Sequence, residues 1–251
     1  MHFKGLATSA VFQSLVIQNY FLDLSKLVAV KSPASECGRY VRNMRYDSII
    51  FDLDGTLWDA SQVTANGWNN ALIKNGLREY KVSSADVRNV SGMPLQECAS
   101  ILFGHIPDID LVALEKLICT EEEKAFKVDC GRLYPDVKKG IRDISQKYPL
   151  FLVSNCQSWY LNRFWDQFNL EKYFTGQDCH GNANKTKSKM IKRILQKYNL
   201  ENTIYIGDTK GDKAASMEAG VEFGYASYGF GDLEREEKTI KSFRDLTKCL
   251  T

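Results

Sequence analysis

Two aspartates one residue apart, Asp52 and Asp54, follow the apolar run Ile49, Ile50 and Phe51 and precede Gly55 and Thr56 in the string SIIFDLDGTLWD over residues 48–59. Side chains alternate along a strand, so both carboxyls point to one side with Leu53 opposite. Carboxylates held that close repel, which favours a cation between them or a proton on one. Asp and Gly also dominate turns, so the string alone reads as strand-ending punctuation too. A second acidic pair, Asp208 and Asp212, stands in IGDTKGD, where Gly207 and Gly211 permit sharp turns that crowd the two carboxylates. Oxygen-only donors at this density suit Mg²⁺, which bridges to phosphate oxygens. Ser154 and a lysine would add a hydroxyl donor and a positive charge for phosphoryl oxygens. The metal would let an anionic nucleophile approach an anionic substrate.

These residues need elements that bring them to one place. Ile49–Phe51, Pro149–Val153 and Thr203–Ile206 are short apolar runs of the kind buried on both faces of a parallel sheet. Phe174–Gln177 and Val221–Ser227 are weaker candidates for strands. Helices are expected over Asp136–Gln146, Trp159–Asn169, Lys189–Tyr198 and Lys213–Ala219, the last stopped by Gly220. A final amphipathic helix would use Ile240, Phe243 and Leu246. The aromatics of Trp159–Asn169 are read as core. Alternating strands and helices imply an α/β fold, a Rossmann-like parallel sheet flanked by helices. Right-handed crossovers then carry every strand's carboxyl end to one edge. Asp52 with Asp54, Ser154 with Asn155, Lys187, and Asp208 with Asp212 all fall at or just after such ends.

Residues 60–133 break the alternation. Val63, Trp68, Ala71 and Leu72 recur at helical spacing up to Gly76, Ser83 and Ser84 precede a capped start, Pro94 opens another helix, and Ile109–Val128 forms a fourth. With no convincing strand, this block reads as an inserted all-helical cap. The domain plan is a core segment at 45–59, the cap at 60–133 and a second core segment at 134–251. Residues 1–44 differ from the rest and read as an extension; Val11–Val30 is interrupted by Gln18, Asn19, Asp23 and Lys26, too polar for a membrane span.

The chain of 251 residues is 44% hydrophobic and 25% charged with a net charge of +2, which offers neither nucleic acid nor an anionic membrane a global attraction. Seven scattered cysteines without a Cys-x-x-Cys pair argue for free thiols in a reducing compartment. A cytoplasmic location is expected, with organellar targeting by residues 1–44 left open, and the oligomeric expectation is a monomer or homodimer. Cys179 beside His180 lacks further ligands and reads as packing.

FDLDGT, Ser154 with Asn155, a lysine near 187 and GDTKGD, in that order, resemble the four motifs of the haloacid dehalogenase superfamily, in particular its phosphatases with a helical cap after the first strand. The resemblance covers about residues 45–231. It implies that Asp52 is the nucleophile that becomes an aspartyl phosphate, and that Asp54 serves as general acid and then base. Asp52, the backbone carbonyl of Asp54, and Asp208 would hold Mg²⁺, with Asp212 supporting the metal from behind. Ser154, Asn155 and Lys187 would hold the phosphoryl oxygens. The family often carries Lys-Pro-x-Pro at the lysine, whereas residues 184–194 read NKTKSKMIKRI. Lys187, three residues ahead of the apolar helix start at Met190, is preferred over Lys185.

The implied activity is hydrolysis of a small phosphorylated metabolite, with phosphoglycolate as a family-level expectation. A β-phosphoglucomutase-like phosphomutase is the alternative, against which Thr56 counts. A phospho-accepting signalling domain would be about half this length and lack the cap, and a non-catalytic binding protein would not need the intact aspartates. Specificity would reside in the cap, where the loop at Gly92, Met93 and Pro94 resembles a specificity loop. Arg88 nearby is read either as an anion contact or as a surface charge, and Trp58 as packing between core and cap.

Overall fold

The computed structural model describes residues 46–251 other than 184, 235 and 237; the extension expected over 1–44 lies outside the described residues. Strand β1 (Ser48–Phe51) is buried along its whole length. It is followed by the short β2 (Trp58–Asp59), then helices α1 (Ser61–Lys74), α2 (Ser84–Val90), α3 (Leu95–Phe103) and α4 (Leu111–Val128). The short β3 (Arg132–Leu133) pairs antiparallel with β2, Trp58 opposite Leu133 and Asp59 opposite Arg132. The helical segment is thus closed at its base by a two-residue ladder, too brief to leave a period-two pattern in the sequence.

The chain continues through α5 (Val137–Ile144), β4 (Leu150–Ser154), α6 (Ser158–Phe168), β5 (Gly176–Cys179), α7 (His180–Ala183), α8 (Lys187–Tyr198), β6 (Thr203–Gly207), α9 (Lys210–Ala219), β7 (Glu222–Ala226), β8 (Thr239–Ile240) and α10 (Phe243–Leu250). The six-stranded sheet runs β5-β4-β1-β6-β7-β8, and its neighbours pair in parallel. The architecture is the expected α/β fold, a parallel sheet flanked by helices.

Strand alternation divides the core. Ile49 and Phe51, Leu150 and Leu152, and Ile204 and Ile206 enter one apolar cluster beneath α5, α6 and α10. Ile50, Phe151, Val153 and Tyr205 enter the other, with Met190, Ile191 and Ile194 of α8. Buried side chains of this size contribute about 1.5–3 kcal/mol each, so a one-residue slip of β1 would exchange both faces at once. Helices α1–α4 enclose a separate cluster that includes Trp68, Leu72, Phe103, Leu114 and Ile118.

Several boundaries differ from the sequence expectation. Helix α8 starts at Lys187 instead of Lys189, because its first-turn residues Lys187 and Ser188 are polar yet buried. Helix α9 starts at Lys210 instead of Lys213, where Thr209 and Asp212 form a reciprocal capping box. Strand β5 lies two residues beyond its expected start. Ile240 belongs to β8, and the last helix begins only after Ser242, whose side chain accepts from the Asp245 backbone N–H.

Candidate active site

Asp52 follows the last residue of β1, with its backbone N–H donating to the Ile206 carbonyl at 2.8 Å. The next turn is tight: Thr56, Leu57 and Trp58 all donate to the Leu53 carbonyl. Gly55 sits at φ +78°, and a Cβ there would run into the Asp208 carboxylate, so the turn admits glycine for both conformation and space. The same close approach lets Thr56 Oγ1 donate to Asp208 Oδ1 at 3.3 Å.

The structure brings the two acidic pairs and the preferred lysine together. Lys187 Nζ donates to Asp52 Oδ1 at 2.9 Å and to Asp212 Oδ1 at 2.6 Å, with all three side chains nearly or fully buried. Asp52, Asp208 and Asp212 each offer an oxygen within 4.8 Å of the others. Asp52 Oδ2 is buried without a hydrogen-bond partner. Burial pushes the Asp52 carboxyl well above the usual carboxylate range and the charge of Asp212 adds to this, with Lys187 opposing. Asp208 is pushed up to about 7, by burial first and by Asp212 second, while the N–H groups of Phe230 and Gly231 pull it back. Burial acts on Asp212 in the same sense, but Lys187 and the Thr209 hydroxyl and N–H hold it below its ordinary value. The Lys187 ammonium is disfavoured by burial, yet Asp212 and Asp52 more than compensate and keep it charged.

Asp54 stands apart from this cluster. Its Oδ1 accepts from the Tyr160 hydroxyl at 2.6 Å. Burial raises its pKa to about 6, with Tyr160 and Lys187 opposing. Asp52, Asp54, Ser154 and Asn155 line one cleft. Ser154 Oγ accepts from the Cys156 N–H. The Asn155 amide donates to the Gly92 carbonyl at 2.7 Å, tying the end of β4 to the loop between α2 and α3. Lys185 is exposed. Arg88 is engaged by Asp59 at 2.8 Å and by Ser61, and its guanidinium lies over the Phe230 ring. Trp58 is fully buried against Phe126, Tyr160, Phe164 and Phe168.

Residues 49–226 match the haloacid dehalogenase-like hydrolase family. The chain belongs to that family. This haloacid dehalogenase-like hydrolase is 24% identical over 80% of its length to a phosphoglycolate phosphatase of Aquifex aeolicus, of which it covers 95%. It is 25% identical over 75% of its length to a 5'-nucleotidase of Pseudomonas aeruginosa, of which it covers 86%. Among solved structures, a haloacid dehalogenase-like family hydrolase from Streptococcus pneumoniae superposes with a TM-score of 0.67 at 22% identity, over 81% of this chain and 90% of that one.

Sequence reasoning names Asp212 but not the Thr209-x-x-Asp212 capping box that fixes it, although that pattern is local; two further residues of the hydrolase's site are not singled out. Tyr160 was counted as core, and its hydroxyl reaches Asp54 across 106 positions with no local signal. Glu122 lines the cleft from α4 and was not singled out.

Proposed function

We propose that this hydrolase is a Mg²⁺-dependent phosphatase that cleaves a small phosphomonoester through an aspartyl phosphate on Asp52, with the helices of residues 60–133 as its cap. The observation that carries the reading is the state of Asp52: one carboxylate oxygen is held by Lys187, and the other is buried and unbonded. The three-carboxylate cluster is all oxygen and charged beyond what one lysine balances, which fits a hard divalent cation. Asp52, Asp208 and the Asp54 backbone carbonyl would hold it, with Asp212 fixed behind them by Lys187 and Thr209. When bound, Mg²⁺ supplies positive charge to the nucleophile and the phosphoryl oxygens.

Asp52 then attacks phosphorus, forming a carboxyl O–P bond as the ester O–P bond breaks. Asp54, raised to about 6 and aimed by Tyr160, gives its proton to the departing alkoxide. The resulting carboxylate takes a proton from water as that water attacks the aspartyl phosphate, which restores Asp52 and releases phosphate. Ser154 and Lys187 steady the phosphoryl oxygens throughout.

The test is phosphate release from p-nitrophenyl phosphate and a panel of metabolites, phosphoglycolate and a nucleoside 5'-monophosphate included, with and without Mg²⁺. Wild type should release phosphate only with Mg²⁺, and Asp52→Asn should lose at least about a thousandfold in kcat. No release from any substrate would overturn the enzyme reading, and activity retained in Asp52→Asn would overturn the nucleophile.

A further inference from the structure

One more carboxylate opens onto the cleft. Three consecutive glutamates on α4 meet three surroundings: Glu121 is buried and pairs with Lys74 and Lys124, Glu123 is exposed near Lys127, and Glu122 is buried without an ion-pair partner among the described residues. Glu122 lines the same cleft as Asp52 and Asp54. Its position depends on a close helix crossing, since a Cβ on Gly67 of α1 would collide with the Glu122 backbone. Thr64 and Trp68, either side of Gly67, face the carboxylate; the Trp68 indole N–H reaches it without closing a regular hydrogen bond.

The rest of the cleft wall is largely apolar, with Trp68, Val87, Val90, Leu95, Trp159 and Phe230. Among the described residues it contains no lysine, arginine or histidine. Arg88, whose ring contact Phe230 lies in that wall, spends its guanidinium on Asp59 and Ser61. Glu122 therefore has no cation of its own, and burial followed by the charge of Asp54 pushes its pKa up to about 7 against Thr64 and Trp68. A buried carboxyl in this position is relieved by a proton or by a positive group that a bound molecule brings. A carboxylate on the substrate would meet Asp54 and Glu122, and the cation at the cleft's rim, Arg88, is already paired with Asp59.

Resting on the phosphatase reading, we propose that the substrate is a phosphomonoester whose leaving alcohol carries an ammonium group on an apolar frame, that Glu122 receives this group, and that carboxylate-bearing esters such as phosphoglycolate are poor substrates. Glu122 is thus a specificity residue, and the phosphoryl end is recognised separately by Asp52, Ser154 and Lys187.

Two size-matched sets of esters test this with Mg²⁺ and the full-length protein. The short set is ethyl phosphate, phosphoethanolamine and phosphoglycolate; the long set is 4-methylphenyl, 4-(aminomethyl)phenyl and 4-carboxyphenyl phosphate. In at least one set the ammonium ester should have the highest kcat/KM, at least about tenfold above the carboxylate ester. Glu122→Gln should reduce the ammonium-to-neutral ratio about tenfold, a change in ratio that a loss of folded protein cannot produce. Carboxylate esters that match or exceed the ammonium esters in both sets of the wild type overturn the inference, whatever the variant does. So does a Glu122→Gln variant that changes every ester by one common factor. Absence of release from all six esters by protein that hydrolyses p-nitrophenyl phosphate or another substrate of the panel overturns the specificity inference alone; absence of release from every substrate fails the phosphatase reading itself, and the specificity inference falls with it.

Discussion

The Tyr160 hydroxyl gives Asp54 a fixed direction and, by the same hydrogen bond, a lower pKa than burial alone would leave it. Removing it in Tyr160→Phe should raise the Asp54 pKa above about 6. In the proposed mechanism Asp54 must be protonated to serve the leaving group, and that form is lost as pH rises through its pKa. The alkaline limb of the kcat/KM profile should therefore move to higher pH in the variant, which a pH–rate series would read directly. Lys187 carries a different weight, because it is the only side-chain cation on Asp52 and Asp212 among the described residues. Lys187→Met should destabilise the metal-free protein by about 3–5 kcal/mol, the usual result of leaving buried charges unpaired. Urea unfolding in EDTA would measure it, and a loss well under about 1 kcal/mol would show the three groups to be independent.

Helix starts place the charges of the site. Helix α9 begins at the Thr209 capping box, and the same Asp212 carboxylate that bonds Thr209 also holds Lys187 at the first turn of α8. Thr209→Ala should cost about 1 kcal/mol in unfolding free energy, as N-cap losses do, and should lower activity more than stability because Asp212 loses its anchor. The motif residues were legible in the sequence because strand ends and their polar caps are local patterns. The start of α8 was not, because Lys187 and Ser188 are buried polar residues that interrupt the apolar period. Glu122 was illegible for a related reason. In EEEK a reader sees a solvated face, whereas Glu121 and Glu122 are both buried, and α1 crosses at Gly67 close against the Glu122 backbone.

Across the molecule, the acids whose pKa burial raises set how stability depends on pH. Asp54 near 6, Asp208 near 7 and Glu122 near 7 stand above ordinary values of 3.8, 3.8 and 4.5. Between those limits the folded state binds more protons than the unfolded state, so stability falls as pH rises. Metal-free protein should be less stable to urea at pH 7.5 than at pH 5, and Mg²⁺ should restore stability at pH 7.5 by binding only the folded form. Equal midpoints at both pH values in EDTA would show that these acids are not desolvated together. The α/β class and the parallel sheet were legible at this scale from alternating apolar runs, while the β2–β3 ladder was not, because two residues carry no period. The central place of β1 also fixes an order of events during synthesis. The strand that bears Asp52 emerges first, yet the neighbours that flank it begin only at Leu150 and Thr203. Until the ribosome has passed residue 207, SIIF has an unpaired edge on one side at least. Asp52, the proposed nucleophile, is among the first parts of the described chain to be made and among the last to find its surroundings, so the nascent chain must be kept from other β-edges for most of its translation.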